Sequence, residues 1–241
     1  MEQLLYKDLA RYYDLIYSFK DYSKETERLE QLIREYKLSS GNQLLDVACG
    51  TGKHLEYLKD KYECVGIDVN SGMLEVARKR LPKVTFIQAD MVAFDLQRQF
   101  DVITCLFSSI AYVKTYENLK KTLSNFAKHA KPGGVVIIEP WFTKETFKVG
   151  TPRMTTYDGE DIKIARLNVS QNAGDVSVMD MHYLVAEKGQ SEVKHFVDRH
   201  EMGMFDYDKM LEFMKEAGLK TKFLEEGFMP QRGVFIGVSP Q

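Results

Sequence analysis

The sequence predicts an α/β fold with a mainly parallel seven-stranded sheet and a small antiparallel β insertion. In the first part of the chain, short and almost continuously apolar runs alternate with amphipathic stretches. This alternation is typical of a parallel sheet covered by helices on both faces. Over residues 151–205 the apolar pattern changes to a period of two, which indicates antiparallel strands.

The elements of the main sheet follow from these periodicities. Strands are predicted at residues 43–48, 64–69, 84–89, 102–107, 135–139, 221–224 and 233–238. Helices are predicted at residues 25–36, 53–60, 71–80, 116–131 and 207–217, where apolar side chains recur at helical spacing. Gly218 is expected to end the last helix.

The insertion is expected to form roughly three strands joined by two tight turns, at residues 172–174 and 187–190. A chain of 241 residues can bury one substantial core. We therefore expect one domain over residues 1–241, with residues 1–40 as an N-terminal helical lid and residues 151–205 as a cap on the parallel sheet.

Composition and charge exclude several classes of protein. The chain has 33 basic and 35 acidic residues, so no global field favours nucleic acid or an anionic membrane. Neither a signal peptide nor an apolar run long enough to span a bilayer is present in the sequence. The three cysteines lack metal-ligand spacing. We expect a cytoplasmic enzyme with a small-molecule substrate, no metal and reduced cysteines, as a monomer or homodimer.

The strongest candidate for a ligand-binding segment is residues 44–52, where a predicted strand runs into a helix through a glycine-containing loop. In an open parallel sheet, ligands bind at the carboxyl ends of the strands near the switch point. A dinucleotide motif would require a third glycine, but Leu55 follows Gly50 and Gly52 at that spacing. A P-loop is excluded because His54 stands where that motif has a Ser or Thr. Without a role in phosphate binding, His54 is expected on the helix surface.

Three further features follow later strands. Asp68 ends the second strand, where a carboxylate can accept hydrogen bonds from both ribose hydroxyls of a nucleoside, although it could instead cap the next helix. Asp90 and Met91 follow the third strand and could contact an adenine amino group and ring. Residues 131–134 form a predicted Pro-Gly-Gly turn before the fifth strand.

In this order and at these intervals, the four features resemble the class I, Rossmann-like S-adenosylmethionine-dependent methyltransferases, whose glycine motif has the form of residues 46–52. The resemblance implies S-adenosylmethionine as cofactor and S-adenosylhomocysteine as product. It also implies that the matching residues bind the cofactor: Asp46 as part of the glycine motif, Ala48, Gly50 and Gly52 at the methionine portion, Asp68 at the ribose, Asp90 and Met91 at the adenine, and Leu106 and Phe107 beside the sulfonium.

A closer resemblance runs through almost the whole chain, to the N,N-dimethyltransferases of nucleotide-linked deoxy-aminosugars. The matching stretches are residues 13–17, 20–22, 45–52, 54–56, 77–82, 107–109, 133–136, 139–141, 145–147 and 195–196. The resemblance implies that Tyr17 and Tyr22 flank the cofactor and acceptor, and that Trp141, Phe142 and Arg232 face the sugar. The segment between Tyr17 and Lys20 is shorter than in the family, and the insertion after residue 150 differs through much of its length, which leaves the acceptor open.

The implied reaction needs alignment more than acid or base chemistry, because the cofactor carries an activated methyl group and a neutral amine is a competent nucleophile. An amine that is protonated at neutral pH must still lose a proton. Candidates to assist are Tyr17 as an orienting phenol, and His182, His195 and His200. Each histidine could equally be a structural residue of its strand.

Other functions stay open from the sequence. These are methyl transfer to another small metabolite, an NAD(P)-dependent oxidoreductase, and a non-catalytic protein that keeps the cofactor fold. Amino-methylating DNA enzymes carry an Asn-Pro-Pro-aromatic or Asp-Pro-Pro-aromatic motif after the fourth strand. Residues 107–109 are Phe-Ser-Ser instead, so nucleic acid is not the expected acceptor.

Overall fold

The computed structural model describes residues 10–229 and 231–241. Its strands are β1 (Gln43–Val47), β2 (Glu63–Asp68), β3 (Thr85–Gln88), β4 (Phe100–Cys105), β5 (Ala130–Ile138), β6 (Pro152–Asp158), β7 (Ile162–Val169), β8 (Gln171–Ala173), β9 (Val176–Glu187), β10 (Lys194–Gly203), β11 (Lys220–Leu224) and β12 (Val234–Val238). Seven of them form one sheet in the order β11-β12-β5-β4-β1-β2-β3. Strands β1 to β5 are parallel and β12 is antiparallel to both neighbours, so the predicted mainly parallel sheet is confirmed.

The helices are α1 (Ala10–Ile16), α2 (Tyr22–Tyr36), α3 (Lys53–Leu58), α4 (Ser71–Arg80), α5 (Tyr116–His129) and α6 (Tyr207–Glu216), with a 3-10 helix at Ser109–Val113. Helix α4 has the predicted bounds, since Asn70 accepts a hydrogen bond from the backbone N–H of Met73 and so fixes its start. Gly218 follows α6 with a φ of +93°, the conformation expected of a helix stop.

Two segments of the main sheet differ from the prediction. Strand β4 was expected to continue to residue 107 but ends at Cys105, because Phe107 and Ser108 take the left-handed conformation with φ of 53° and 61°. The predicted turn at residues 131–134 lies inside β5, whose pairing with β4 is irregular there. Gly133 nevertheless has a φ of +74°, as a glycine at a turn would.

The insertion is a separate antiparallel sheet in the order β10-β9-β7-β6, with β8 paired to β9. It has five strands where roughly three were expected: residues 172 and 173, expected in a turn, belong to β8 and pair with β9, and the segment before them forms two strands, β6 and β7. The predicted alternation along β9 holds from Met179 to Val185, whereas Val178, expected to face away from Ser177 and Met179, is buried as well. Met181 and Tyr183 are buried on the inner face, whereas His182 and Leu184 are exposed on the outer face.

The two N-terminal helices pack differently. Helix α1 contacts α4 of the main domain and β6 of the insertion. Helix α2 buries Leu29, Leu32 and Ile33 in the core of the main sheet. Residues 1–9 of the expected lid lie outside the described residues.

Three predictions from composition can be compared with the structure. In the described part of the chain, no helix has both the length and the apolarity needed to cross a membrane. Within the same residues, no cluster of His, Cys, Asp and Glu side chains could hold a metal ion. Cys49, Cys64 and Cys105 are free thiols, as expected.

Candidate functional site

The glycine loop begins where β1 ends, between β2 and β4 in the sheet. Its backbone is left-handed at every second residue, with φ of 57° at Ala48, 55° at Gly50 and 77° at Gly52. This path opens a cavity of about 430 Å³, which we call the loop cavity. The loop cavity is lined by Tyr13, Ala48, Gly50, Asp68, Val69, Asn70, Met73, Met91, Ser109, Tyr112, Lys114, Arg199 and Glu201.

Asp68 lines the loop cavity and also holds the backbone of the glycine loop. Its Oδ2 accepts a hydrogen bond from the Gly50 N–H at 2.9 Å, and its Oδ1 accepts one from the Asn70 N–H at 2.8 Å. Asn70, not Asp68, caps α4, so the alternative role considered for Asp68 is filled by its neighbour. Burial raises the pKa of Asp68, and the backbone donors oppose that rise. Each oxygen retains acceptor capacity toward the cavity.

Asp90 and Met91 line an adjoining cavity of about 400 Å³, together with Asp68 and Tyr112. The Asp90 Oδ1 accepts a hydrogen bond from the Val92 N–H at 2.9 Å, which fixes the turn after β3. The structure therefore brings Asp90 and Met91 beside Asp68, as the sequence predicted.

A small cavity of about 40 Å³ lies below the loop and is lined by Tyr22, Asp46, Ala48, Leu106 and Phe107, among others. Asp46 is 3% exposed, and its Oδ1 accepts a hydrogen bond from the Thr104 hydroxyl at 2.8 Å. Burial raises the pKa of Asp46 to about 6. Burial also raises the pKa of Tyr22.

His54 also lines the small cavity, although it was expected on the helix surface. Its side chain is only 11% exposed, and its Nε2 lies 2.9 Å from the Glu25 carboxylate. The Glu25 carboxylate also accepts a hydrogen bond from the buried Lys20 ammonium at 2.6 Å. The contact explains the burial of His54, because α2 packs across the start of α3.

Gly52 does not face any of these cavities. A Cβ at this position would lie 3.4 Å from side-chain atoms of Leu81 and Phe86, so the missing side chain makes room for apolar packing. Gly52 therefore shapes the loop and lets α3 approach the sheet.

The turn after β4 is held by a buried carboxylate at the end of β5. Glu139 is 1% exposed, and its Oε2 accepts a hydrogen bond from the Phe107 N–H at 2.7 Å. The Ser108 hydroxyl donates to the Pro140 carbonyl at 2.6 Å and accepts from the Arg232 guanidinium at 2.8 Å. Burial raises the pKa of Glu139 and lowers that of Arg232, whose guanidinium lies 3.9 Å from the Glu139 carboxylate.

A further cavity, of about 400 Å³, lies between this turn and the inner face of the antiparallel sheet; we call it the cap cavity. Its walls combine aromatic rings, methionines and guanidinium groups. They include Tyr17, Phe19, Phe107, Trp141, Phe142, Phe147, Arg153, Arg166, Asn168, Met179, Met181, Met202 and Arg232. Arg232 stacks on the rings of Trp141 and Phe142 at 4.9 and 5.1 Å.

Tyr17 reaches the cap cavity from the segment after α1. Its hydroxyl accepts a hydrogen bond from Arg166 of β7 at 2.8 Å, and its ring meets Phe107 edge to face at 5.1 Å. Three residues, Tyr13, Ser109 and Tyr112, line both the cap cavity and the loop cavity. The two cavities therefore meet at this point.

Comparison with known proteins agrees with this arrangement. A family model described as a methyltransferase domain matches residues 44–134. The dTDP-3-amino-3,4,6-trideoxy-alpha-D-glucopyranose N,N-dimethyltransferase of Streptomyces venezuelae is 38% identical over 96% of this chain and 98% of its own.

Two solved structures are also similar. The crystal structure of Streptomyces venezuelae DesVI matches with a TM-score of 0.90 and 38% identity, over 96% of this chain and 98% of that one. CalS10, an amino pentose methyltransferase from Micromonospora echinaspora solved with S-adenosylmethionine bound, matches with a TM-score of 0.82 and 30% identity, over 91% and 92% of the two chains.

The chain belongs to the NDP-aminosugar N,N-dimethyltransferases. It is therefore a methyltransferase, and the family predicted from the sequence is confirmed. The predicted cofactor, S-adenosylmethionine, is confirmed at the level of the family.

The cavities of this methyltransferase can be tested for fit to that cofactor. The loop cavity offers a carboxylate, Asp68, beside the small residues Ala48 and Gly50, and a thioether, Met91, near its far end. A ribose needs hydrogen-bond acceptors, and an adenine ring needs an apolar surface. The side chains present therefore fit a nucleoside that carries a methionine portion.

The sequence interpretation missed several residues of the site. Tyr112 and Ser109 lie on the 3-10 helix, which no periodicity predicted. Arg166 and Asn168 lie on β7, in the part of the insertion where only period-two alternation was recognised. Glu139 could have been found, because it ends a parallel strand at the same edge of the sheet as the glycine loop.

Proposed function

We propose that the protein transfers methyl groups from S-adenosylmethionine to the amino nitrogen of a nucleotide-linked deoxy-aminosugar. The observation that carries this proposal is the junction of two cavities, one shaped for the cofactor and one lined by three arginines, Arg153, Arg166 and Arg232. Guanidinium groups bind phosphate oxygens in a bidentate manner, which suits the diphosphate of such an acceptor.

The loop cavity and its neighbours would hold the cofactor. Asp68 would accept hydrogen bonds from the ribose hydroxyls while it fixes the Gly50 N–H. Asp90 and Met91 would contact the adenine, and Ala48 and Gly50 would line the methionine portion. Tyr22, Asp46, Leu106 and Phe107 would enclose that portion from the small cavity. Gly52 would act through the loop conformation rather than by contact.

The cap cavity would hold the sugar nucleotide. Trp141 and Phe142 provide faces on which a sugar or base can pack, and Arg232 is fixed between them and Ser108. Tyr17 is oriented by Arg166 and would position the sugar near the junction. Residues 10–40 and 151–205 would thus act as lid and cap for this cavity.

When bound, the cofactor supplies a methyl group activated by a sulfonium, which a neutral amine attacks directly. The chain's contribution is to align the amine and to exclude water. Alignment of this kind can lower a barrier by roughly 7–11 kcal/mol in favourable cases. The buried turn at Phe107 and Ser108 gives the junction a rigid wall for that purpose.

The proposal is tested with purified protein, S-adenosylmethionine and a panel of acceptors. The panel contains dTDP-linked 3-amino and 4-amino deoxysugars, the same sugars without the nucleotide, and simple amines. Mass spectrometry should show one or two added methyl groups only on the nucleotide-linked aminosugars. Turnover of the free sugars or simple amines at comparable kcat/KM would overturn the assignment of the acceptor and favour a different small metabolite.

A further inference from the structure

A chain of three side chains leads away from the junction of the loop cavity and the cap cavity. The Tyr112 hydroxyl lies 2.7 Å from Nδ1 of His200, and Nε2 of His200 lies 3.0 Å from a carboxylate oxygen of Asp198. His200 is 2% exposed and Asp198 is 1% exposed. Of these three residues, Tyr112 lines both the loop cavity and the cap cavity, and His200 lines the cap cavity.

The strand pattern explains why this histidine differs from the two others of the antiparallel sheet. Asp198 and His200 alternate along the buried face of β10, which is turned toward the 3-10 helix and Tyr112. His182 and His195 stack on each other on the exposed outer face. Of the three histidines that the sequence proposed as bases, His200 is the one with a connected path to the cavities.

We propose that Tyr112, His200 and Asp198 form a proton relay that deprotonates the ammonium group of the acceptor before methyl transfer. This inference rests on the proposed function. An ammonium N–H bond breaks, and its electron pair stays on nitrogen. That proton goes to the Tyr112 oxygen while the phenol proton passes to Nδ1 of His200. The products are a neutral amine and an imidazolium.

The buried carboxylate of Asp198 favours transfer of the proton toward His200. A charge taken out of water is costly unless an opposite charge lies beside it. Asp198 lies next to His200 in a buried position, so an imidazolium at His200 gains a counter-charge 3.0 Å away. After product release, the proton returns to solvent by the reverse path through Tyr112.

Other titratable groups surround the relay in the part of the chain described. Burial raises the pKa of Tyr13 on α1 well above its usual range, so this neighbouring phenol stays neutral. Burial also raises the pKa of Tyr183 on β9, which faces Asp198. Glu201 pairs with Lys114 at 2.8 Å, and Arg199 pairs with Asp180 and Glu201; Lys114, Arg199 and Glu201 also line the loop cavity. These charges are already paired with one another.

The test is the pH dependence of kcat/KM for a dTDP-linked aminosugar. In Tyr112→Phe the acceptor must lose its proton unaided, so kcat/KM should fall at least tenfold at about pH 7, or about 1.4 kcal/mol. Above the amine's own pKa, measured on the free acceptor, the variant and the wild type should converge to within about threefold. Asp198→Asn should show the same pH-selective loss, because it removes the counter-charge without changing the shape of the side chain.

Controls separate this role from a structural one. His195→Gln changes a histidine on the exposed face of the same strand and should match the wild type at every pH. Calorimetry with S-adenosylhomocysteine should give an affinity for Asp198→Asn close to that of the wild type, because Asp198 does not line the loop cavity. Equal losses at all pH values, or none, would overturn the relay while the proposed function stands. A wild-type protein that methylates no aminosugar would overturn both.

Discussion

At the scale of single residues, the burial of each carboxylate determines its role in the site more than its position in the sequence does. Asp46 and Glu139 are both almost fully buried: Asp46 accepts a hydrogen bond from Thr104 of the neighbouring strand β4, and Glu139 fixes the turn after β4. Asp68 is held by two backbone donors and remains accessible to the loop cavity. The three carboxylates therefore differ in what they can do, although the sequence places all three at strand ends.

Burial of Asp46 should make the stability of the protein depend on pH. Its folded pKa is raised from 3.8 to about 6, so the stabilisation from this group is present below about pH 4 and is lost as the pH rises through 6. At neutral pH the ionised form costs up to about 3 kcal/mol. Asp46→Asn keeps an acceptor for Thr104 and should raise the free energy of unfolding at about pH 7.5 more than at about pH 4.5.

Urea denaturation at both pH values measures this difference. Asp60→Asn is the matched control, since the Asp60 side chain is 83% exposed and should change neither value. An equal effect of Asp46→Asn at the two pH values would contradict the raised pKa.

At the scale of elements, α1 connects the two sheets. Asp14 accepts a hydrogen bond from the Thr51 hydroxyl of the glycine loop at 2.7 Å and pairs with Arg80 of α4. On its other side, Arg11 pairs with Glu187 of the antiparallel sheet at 2.8 Å, and Tyr12 is buried against that sheet. A conformational change in the loop is thereby linked to the position of α1.

Thr51→Val should loosen this connection. The substitution keeps the shape of a buried side chain and removes one hydrogen bond to a carboxylate, worth about 1–3 kcal/mol. We expect faster hydrogen exchange in residues 10–20 and about fivefold weaker binding of S-adenosylhomocysteine, equal to about 1 kcal/mol. Thr85→Val, at an exposed position of β3, is the control for the same chemical change. Unchanged exchange in α1 would show that the Thr51 contact does not hold the helix.

At the scale of the whole molecule, the two sheets contribute unequally to the loop cavity and the cap cavity. The carboxyl edge of the parallel sheet forms most of the loop cavity, to which β10 adds Arg199 and Glu201, and the inner face of the antiparallel sheet forms much of the cap cavity. Among the described residues, Asn168 on β7 is 8% exposed and its amide Nδ2 lacks a hydrogen-bond partner. Its position in the cap cavity suits it to donate to a polar group of the acceptor.

Asn168→Asp should weaken binding of the acceptor without weakening binding of the cofactor product. The change replaces a buried donor with an acceptor, so KM for a dTDP-linked aminosugar should rise at least tenfold, or about 1.4 kcal/mol. Affinity for S-adenosylhomocysteine should stay within about twofold, because the residue does not line the loop cavity. Asn172→Asp on the exposed strand β8 should change neither. An increase in the Kd of the cofactor product as large as that in KM would contradict the division between the sheets.

Local patterns in the sequence were enough to predict the parallel sheet, the alternation over the central part of β9, the glycine loop and the family. Each of these depends on local periodicity or on residues close together in the chain, which a single sequence records directly. Asp68, Asp90 and Met91 were placed correctly beside one cavity for the same reason, since the carboxyl ends of parallel strands meet at one edge.

The remaining features follow from tertiary packing. The chain turns at Phe107 through a carboxylate 32 residues away. His54 is largely enclosed against α2, and His200 is buried whereas His182 and His195 are exposed. These outcomes depend on which faces of distant elements pack together. Side-chain chemistry and spacing do not encode that choice locally, because burial is settled by the whole fold.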